Sequence, residues 1–172
     1  MPEAQLLHSG IKMKRPEQKL LDVLKDNELT IAFAESMTCG MAAMKLGNVS
    51  GTSEVFEGGI VCYDAKVKTD LLGVPAKTIA HYTAESQQVT DALAKNLSRK
   101  IKADVTAAIT GLAAPGGSES RQKPVGTVFI SVFVKGKIYR ERKKFNGSPQ
   151  VIKEKACRSL FSFTHKVLKK IN

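Results

Sequence analysis

The sequence predicts a single three-layer α/β/α domain with a mixed sheet: mostly parallel, with one antiparallel strand supplied by a late hairpin. Three features carry this expectation. Segments with helical apolar spacing alternate with short apolar runs of strand length, as a parallel sheet covered by helices requires. Two strand-like runs, Gly126–Val134 and Lys137–Phe145, flank Lys135-Gly136 and read as a hairpin. A chain of 172 residues, 42% hydrophobic and 25% charged, suits one ordinary globular core.

The elements follow in order. Pro16–Asn27 reads as a helix with Leu20, Leu21 and Leu24 as its apolar stripe. Leu29–Ala34 is a strand, Glu35–Gly40 a tight polar turn, and Met41–Leu46 the start of a second helix. Glu54–Tyr63 is a second strand, in which Gly58-Gly59 marks a bulge or a close backbone approach. Lys66–Leu72 is a short helix ended by Gly73 and Pro75. Thr83–Lys102 reads as a longer helix with Ser86, Val89, Leu93, Leu97 and Ile101 inward. Asp104–Ile109 is a third strand, and Thr110–Val125 a loop rich in glycine, proline and serine. After the hairpin a last helix runs from Pro149 to Ile171, with Pro149 suited to a first helical position. Residues 1–14 read as a tail without the apolar run of a secretory signal, and 15–172 as the domain.

Bulk chemistry narrows the function classes. No run approaches the roughly 20 apolar residues of a membrane helix, so no membrane partner is expected. Cys39, Cys62 and Cys157 are odd in number and widely spaced. They suggest neither a disulfide framework nor a zinc site, and a cytoplasmic location is expected. The formal charge of +11 invites a nucleic-acid reading. The basic residues concentrate at Lys135–Lys144 and Lys153–Lys170, where strand and helix spacing fit solvated faces, and no nucleic-acid module is recognised. No specific nucleic-acid partner is therefore expected.

Three loops of unusual composition end predicted strands: Glu35–Gly40, Tyr63–Lys68 and Thr110–Gly117. Sites in open α/β sheets lie beyond the carboxyl ends of the strands, so these loops should converge. Ser36, taken alone, is most simply an N-cap. It is also a candidate nucleophile, with N–H groups of the next helix turn stabilising an oxyanion. None of His8, His81 and His165 falls in the three loops, so a base would have to be lysine, whose pKa burial lowers. Lys66 and Lys68 compete for that role. Tyr63 either packs or hydrogen-bonds at the site. The glycine loop can present backbone N–H groups to a phosphate or carboxylate.

Five segments together resemble the CinA carboxy-terminal-domain family. Ala34–Gly40 is similar to A-E-S-x-T-G-G, Phe56–Tyr63 to F-x-G-G-x-V-x-Y, and Leu72–Pro75 to L-G-V-P. Thr110–Gly117 is similar to T-G-I-A-G-P-G-G, and Lys123–Val128 to K-P-V-G-T-V. Order and spacing match over nearly the whole chain after about residue 16. The family includes nicotinamide-nucleotide amidases of pyridine-nucleotide recycling and proteins described as competence/damage-inducible. The resemblance implies Ser36 as nucleophile, Lys68 as general base and Tyr63 as a supporting hydrogen-bonder. It places Glu35, Thr38, Cys39, Gly40, Thr110, Gly111, Gly116 and Gly117 at the substrate, a small-molecule nucleotide. It implies no cofactor and no metal, and a homodimer. The lysine is Lys68 because it stands five residues beyond Tyr63 and five before Gly73, as in the family. Cys39 and Ala114 stand where glycines are usual, adding bulk beside the site. At Asn146–Pro149 an acid and an arginine usual in the family are missing, which removes a cation. A non-catalytic binding protein that keeps fold and pocket is the alternative reading.

Overall fold

The structure, a computed structural model, describes residues 14–171; the expected tail lies outside these residues except for Lys14. The first helix, α1, spans Pro16–Asp26 and buries Leu20, Leu21, Val23 and Leu24. It leads into β1 (Ile31–Glu35), every residue of which is buried. Next come α2 (Met41–Gly47), a 3-10 turn at Thr52–Glu54, and β2 (Phe56–Val61). Three helices follow: α3 (Ala65–Asp70), α4 (Ala76–Tyr82) and α5 (Gln87–Leu97). Then β3 (Val105–Gly111) precedes a hairpin of β4 (Thr127–Val134) and β5 (Lys137–Lys144), and α6 (Pro149–Ile171) closes the described chain.

The five strands lie in the order β2-β1-β3-β4-β5. β1 is parallel to β2 and β3, while β4 is antiparallel to β3 and β5. Only β4 runs against the other four, so the mixed sheet has its single antiparallel strand in the late hairpin. The strand period of two divides the core between the faces. Ile31 and Phe33 of β1 pack with α1, α2 and α6, whereas Ala32 and Ala34 pack with Leu72, Val74 and the Val89, Leu93, Leu97 stripe of α5. Small alanines on the α5 side let that helix lie close over the strand ends where the site forms.

The paired glycines do what the sequence implied. The β1–β2 register skips one residue between Phe56 and Gly58, a bulge in β2. A Cβ on Gly59 would sit 2.7 Å from the Phe33 carbonyl oxygen, so only glycine lets β2 approach β1. β2 is an edge strand with alternating exposure, and Tyr63 beyond it is 67% exposed, so it does not pack in the core.

Two helical boundaries also differ. α4 was not expected, because none of its residues is buried and no apolar stripe announces it. The helix expected from Thr83 begins four residues later. Thr83 has a left-handed φ of 69°, and Ser86 is the N-cap, its hydroxyl accepting the Val89 N–H at 3.3 Å. The basic runs are solvated. β5 is an exposed edge strand, and Lys143, Lys155, Arg158 and Lys166 line an open groove between β5 and α6. Among the described residues, no helix is long and apolar enough to cross a membrane.

Candidate active site

The chain leaves β1 at Glu35 and turns sharply before α2. Two consecutive residues, Cys39 (φ 52°) and Gly40 (φ 88°), take left-handed conformations. Glycine adopts them freely; at Cys39 the side chain adds strain, which gives a physical meaning to the usual glycine there. The turn is held from inside by the Glu35 carboxylate, whose residue is 2% exposed. Its oxygens accept the N–H groups of Gly40 (3.1 Å), Ala42 (3.0 Å) and Ala43 (2.8 Å) and the Thr38 hydroxyl (2.6 Å). A carboxylate thus satisfies the free donors of the α2 amino terminus and complements its dipole. Capping therefore falls to Glu35, and Ser36 is left for another partner.

That partner is Lys68. The Asp64 side chain caps α3 by accepting the Lys66 N–H at 2.7 Å. The helix then carries Lys68 beneath the β1 turn, while Lys66 stays exposed. Lys68 is 0% exposed and its Nζ lies 3.0 Å from Ser36 Oγ. The same nitrogen donates to the carbonyls of Cys62 (2.6 Å) and Tyr63 (2.9 Å). Burial pushes the Lys68 pKa below the ordinary lysine value, against upward pulls led by Cys62, with Glu85 and Asp64 behind it. A neutral amine has two N–H groups and one lone pair. As an ammonium, Nζ donates to all three oxygens; once it loses a proton, the two carbonyls can hold its remaining N–H groups and the lone pair faces the Ser36 hydroxyl. The contact is of the kind that a serine nucleophile and a lysine base require.

Ser36 opens into a cavity of about 310 Å³ with walls from Met37, Tyr63, Glu85, residues 111–117, Pro149 and Lys153. The N–H groups of α2 expected to stabilise an oxyanion are occupied by Glu35. Those of Met37 and Thr38, directly after Ser36, have no hydrogen bond among the described residues. They are the unoccupied donors beside Ser36. Met37 itself is held by Gly111, where a Cβ would meet the Met37 sulfur at 2.5 Å. Among the described residues, no three His, Cys, Asp or Glu side chains are placed to hold a metal ion.

With this geometry in place, comparison with known proteins locates the chain. The family model for the CinA C-terminal domain matches residues 13–168. The chain belongs to the CinA C-terminal domain family. A CinA-like protein of Thermotoga maritima is 35% identical over 160 residues, 93% of this chain and 39% of that protein. A putative competence-damage inducible protein of Clostridioides difficile is 35% identical over 146 residues, 85% of this chain and 35% of its own length. The chain thus spans less than two fifths of these relatives. Solved structures agree in fold. A CinA superfamily protein of Klebsiella pneumoniae superposes with TM-score 0.86 at 25% identity, covering 91% of this chain and 99% of that one. One from Enterobacter cloacae gives 0.84 at 29%, covering 98% and 99%.

In this CinA domain several expected substrate contacts have other partners. Glu35 and Thr38 hydrogen-bond each other and α2. Thr110 is fully buried, its hydroxyl 2.8 Å from that of Thr90 on α5. Gly111 lines the cavity, as do Gly116 and Gly117, but the N–H groups of the latter two donate to Glu119 at 2.9 and 2.8 Å. These bonds, led by that from Gly116, hold the Glu119 carboxyl below its usual range. The cradle expected to await a ligand anion is filled by the chain itself. Tyr63 lines the cavity, yet its contact with Lys68 runs through its carbonyl, not its phenol. Cys39 does not line the cavity; its sulfur lies 4.0 Å from the Nζ of Lys153, which does. Cys62 and Cys157 are buried thiols pushed up to about 11 and about 12, which keeps them unreactive.

Sequence reasoning missed Lys153 and Glu85. Lys153 stands one helical turn after Pro149, near the segment from which a family cation is absent, and that spacing was the available signal. Glu85 directly precedes the Ser86 cap and carried no pattern of its own.

Proposed function

We propose that this domain is an amidohydrolase that converts nicotinamide mononucleotide to nicotinic acid mononucleotide and ammonia. The observation that supports this best is the 3.0 Å contact between Ser36 Oγ and a fully buried Lys68 at the floor of an open cavity. Ser36 Oγ attacks the amide carbonyl carbon and its proton passes to Lys68 Nζ. The oxyanion faces the Met37 and Thr38 N–H groups. On collapse the C–N bond breaks, Lys68 returns the proton to the departing nitrogen, and ammonia leaves. Water, giving a proton to Lys68, then attacks the Ser36 ester; the acyl C–O bond breaks, Lys68 returns the proton to Ser36 Oγ, and the carboxylic acid is freed. Tyr63 shapes the cavity wall and presents its carbonyl to the base. A cytoplasmic homodimer is part of the same proposal, tested by light scattering of the purified protein.

The protein is expected to release ammonia from nicotinamide mononucleotide without added metal and at the same rate in chelator, since Ser36 and Lys68 supply nucleophile and base. Activity lost to chelator and restored by zinc would overturn the mechanism. A folded protein that binds the nucleotide without turnover would favour the alternative, a binding protein that keeps the pocket.

Lys153 is the cation at the cavity rim, so the substrate phosphate belongs there rather than at the glycine loop. Lys153→Met is expected to raise KM for the mononucleotide by roughly three- to tenfold with little change in kcat. The corresponding nucleoside should be a poorer substrate and indifferent to the change. Equal KM for nucleotide and nucleoside in the unaltered protein would remove Lys153 from phosphate recognition.

A further inference from the structure

The cavity contains a carboxylate that amide hydrolysis does not require. Glu85 lies between α4 and α5 and lines the same cavity as Ser36. Its Oε2 accepts the Ser118 hydroxyl at 2.5 Å. Its Oε1 has no protein donor among the described residues and is not buried. Nor does the carboxylate form an ion pair there. Lys123 Nζ reaches the Glu85 main-chain carbonyl (2.9 Å), Thr83 Oγ1 (2.5 Å) and Ser118 Oγ (2.6 Å), which commits its three protons. The segment is rigidly placed: Thr83 is held in its left-handed conformation by these bonds, and Ser86 caps α5. The cavity therefore presents on one wall a carboxylate with one open oxygen, whose electrostatic neighbours Lys123 and Lys68 are hydrogen-bonded to other oxygens, with the Lys153 ammonium at another part of its lining. That pattern complements a ligand carrying one positive and one negative group.

We infer that Glu85 is a specificity-determining residue whose carboxylate is the counter-charge for a cationic ring, so that the site selects N-substituted pyridinium amides over neutral amides. The inference rests on the amidase reading of the Ser36 cavity. An N-glycosylated nicotinamide carries its positive charge on the ring, and the charge remains through hydrolysis of the carboxamide. A neutral ring of the same shape gains nothing from Glu85, while burying the carboxylate against it has a desolvation cost. Opposite charges brought together in a partly dehydrated cavity attract more strongly than in bulk water.

The test compares nicotinamide mononucleotide with its dihydro form, which keeps the carboxamide, ribose and phosphate but has a neutral ring. Binding is measured calorimetrically on a Ser36→Ala protein, which prevents turnover. The charged form is expected to bind about tenfold tighter than the dihydro form. Adding Glu85→Gln, which keeps an acceptor for Ser118, should abolish that preference while leaving dihydro affinity within about twofold. Ser118→Ala, which keeps the charge, should retain most of the preference. Equal affinity for the two forms in the Ser36→Ala protein overturns the inference, as does binding of neither or an equal loss for both in Glu85→Gln. Ammonia release by the unaltered protein reports separately on the amidase reading. Turnover without charge preference sinks the role of Glu85 alone, and charge preference without turnover sinks the amidase alone.

Discussion

Replacing Lys68 by methionine is expected to lower kcat/KM by about a thousandfold, the scale at which a positioned base acts, whereas Lys66→Met should leave activity within about twofold, as exposed surface charges usually do. The contrast follows from burial: Lys68 is enclosed at 3.0 Å from Ser36, and Lys66 faces solvent. The fold should survive. Methionine leaves the Cys62 and Tyr63 carbonyls without their donor, costing roughly 1–3 kcal/mol, but it also removes the need to bury an amine. The pH dependence has a definite sign. Burial lowers the Lys68 pKa, and the neutral amine is the active base, so kcat/KM should rise as pH rises through that lowered value and then level off. Folding stability should rise in the same direction between the lowered value and the unfolded one, because the unfolded chain binds the extra proton. Lys68→Met should lose both trends. Retained activity in Lys68→Met, measured by ammonia release, would assign the base elsewhere.

Glu35→Ala is expected to be the most destabilising single change at the site. It strands four donors: the Thr38 hydroxyl and the N–H groups of Gly40, Ala42 and Ala43. Each buried group left without a partner costs roughly 1–3 kcal/mol, and because the set is coupled and water can enter, the total should be about 3–5 kcal/mol. Glu35→Gln keeps one acceptor oxygen and should lose about half as much. Urea unfolding followed by circular dichroism measures both. Ser36 is the next residue, so loosening this turn should lower kcat in parallel. An alanine variant as stable as the unaltered protein would show that water or another group replaces the cap.

Much of the architecture was legible because period and spacing carry it. The apolar run Leu29–Ala34 and the segment Glu54–Tyr63 with its Gly58-Gly59 pair announced strands, and Pro149 marked the last helix start. The strand order was not legible, since no local pattern says which strands meet across the sheet. α4 escaped because Ala76–Tyr82 buries nothing, and Thr83 could not be recognised as a left-handed corner by residue type. At the site, matching spacing on both sides of Lys68 distinguished it from Lys66. Partners within the chain were harder to see. Glu35, Thr38 and Thr110 were read as facing a ligand, although each satisfies a buried donor or acceptor of the scaffold. Glu119 likewise fills the glycine cradle from two residues away. Residue type identifies a polar group; only the folded chain shows whether another part of the protein already uses it.

The central claim is that Ser36 becomes acylated by a substrate amide with Lys68 as base. The direct measurement is mass spectrometry of protein quenched in acid during turnover of nicotinamide mononucleotide, with ammonia followed in parallel. The predicted result is ammonia release together with a nicotinoyl ester on the peptide bearing Ser36, both lost in Ser36→Ala. Ammonia release at an undiminished rate from Ser36→Ala, with the corresponding peptide unmodified, would contradict it.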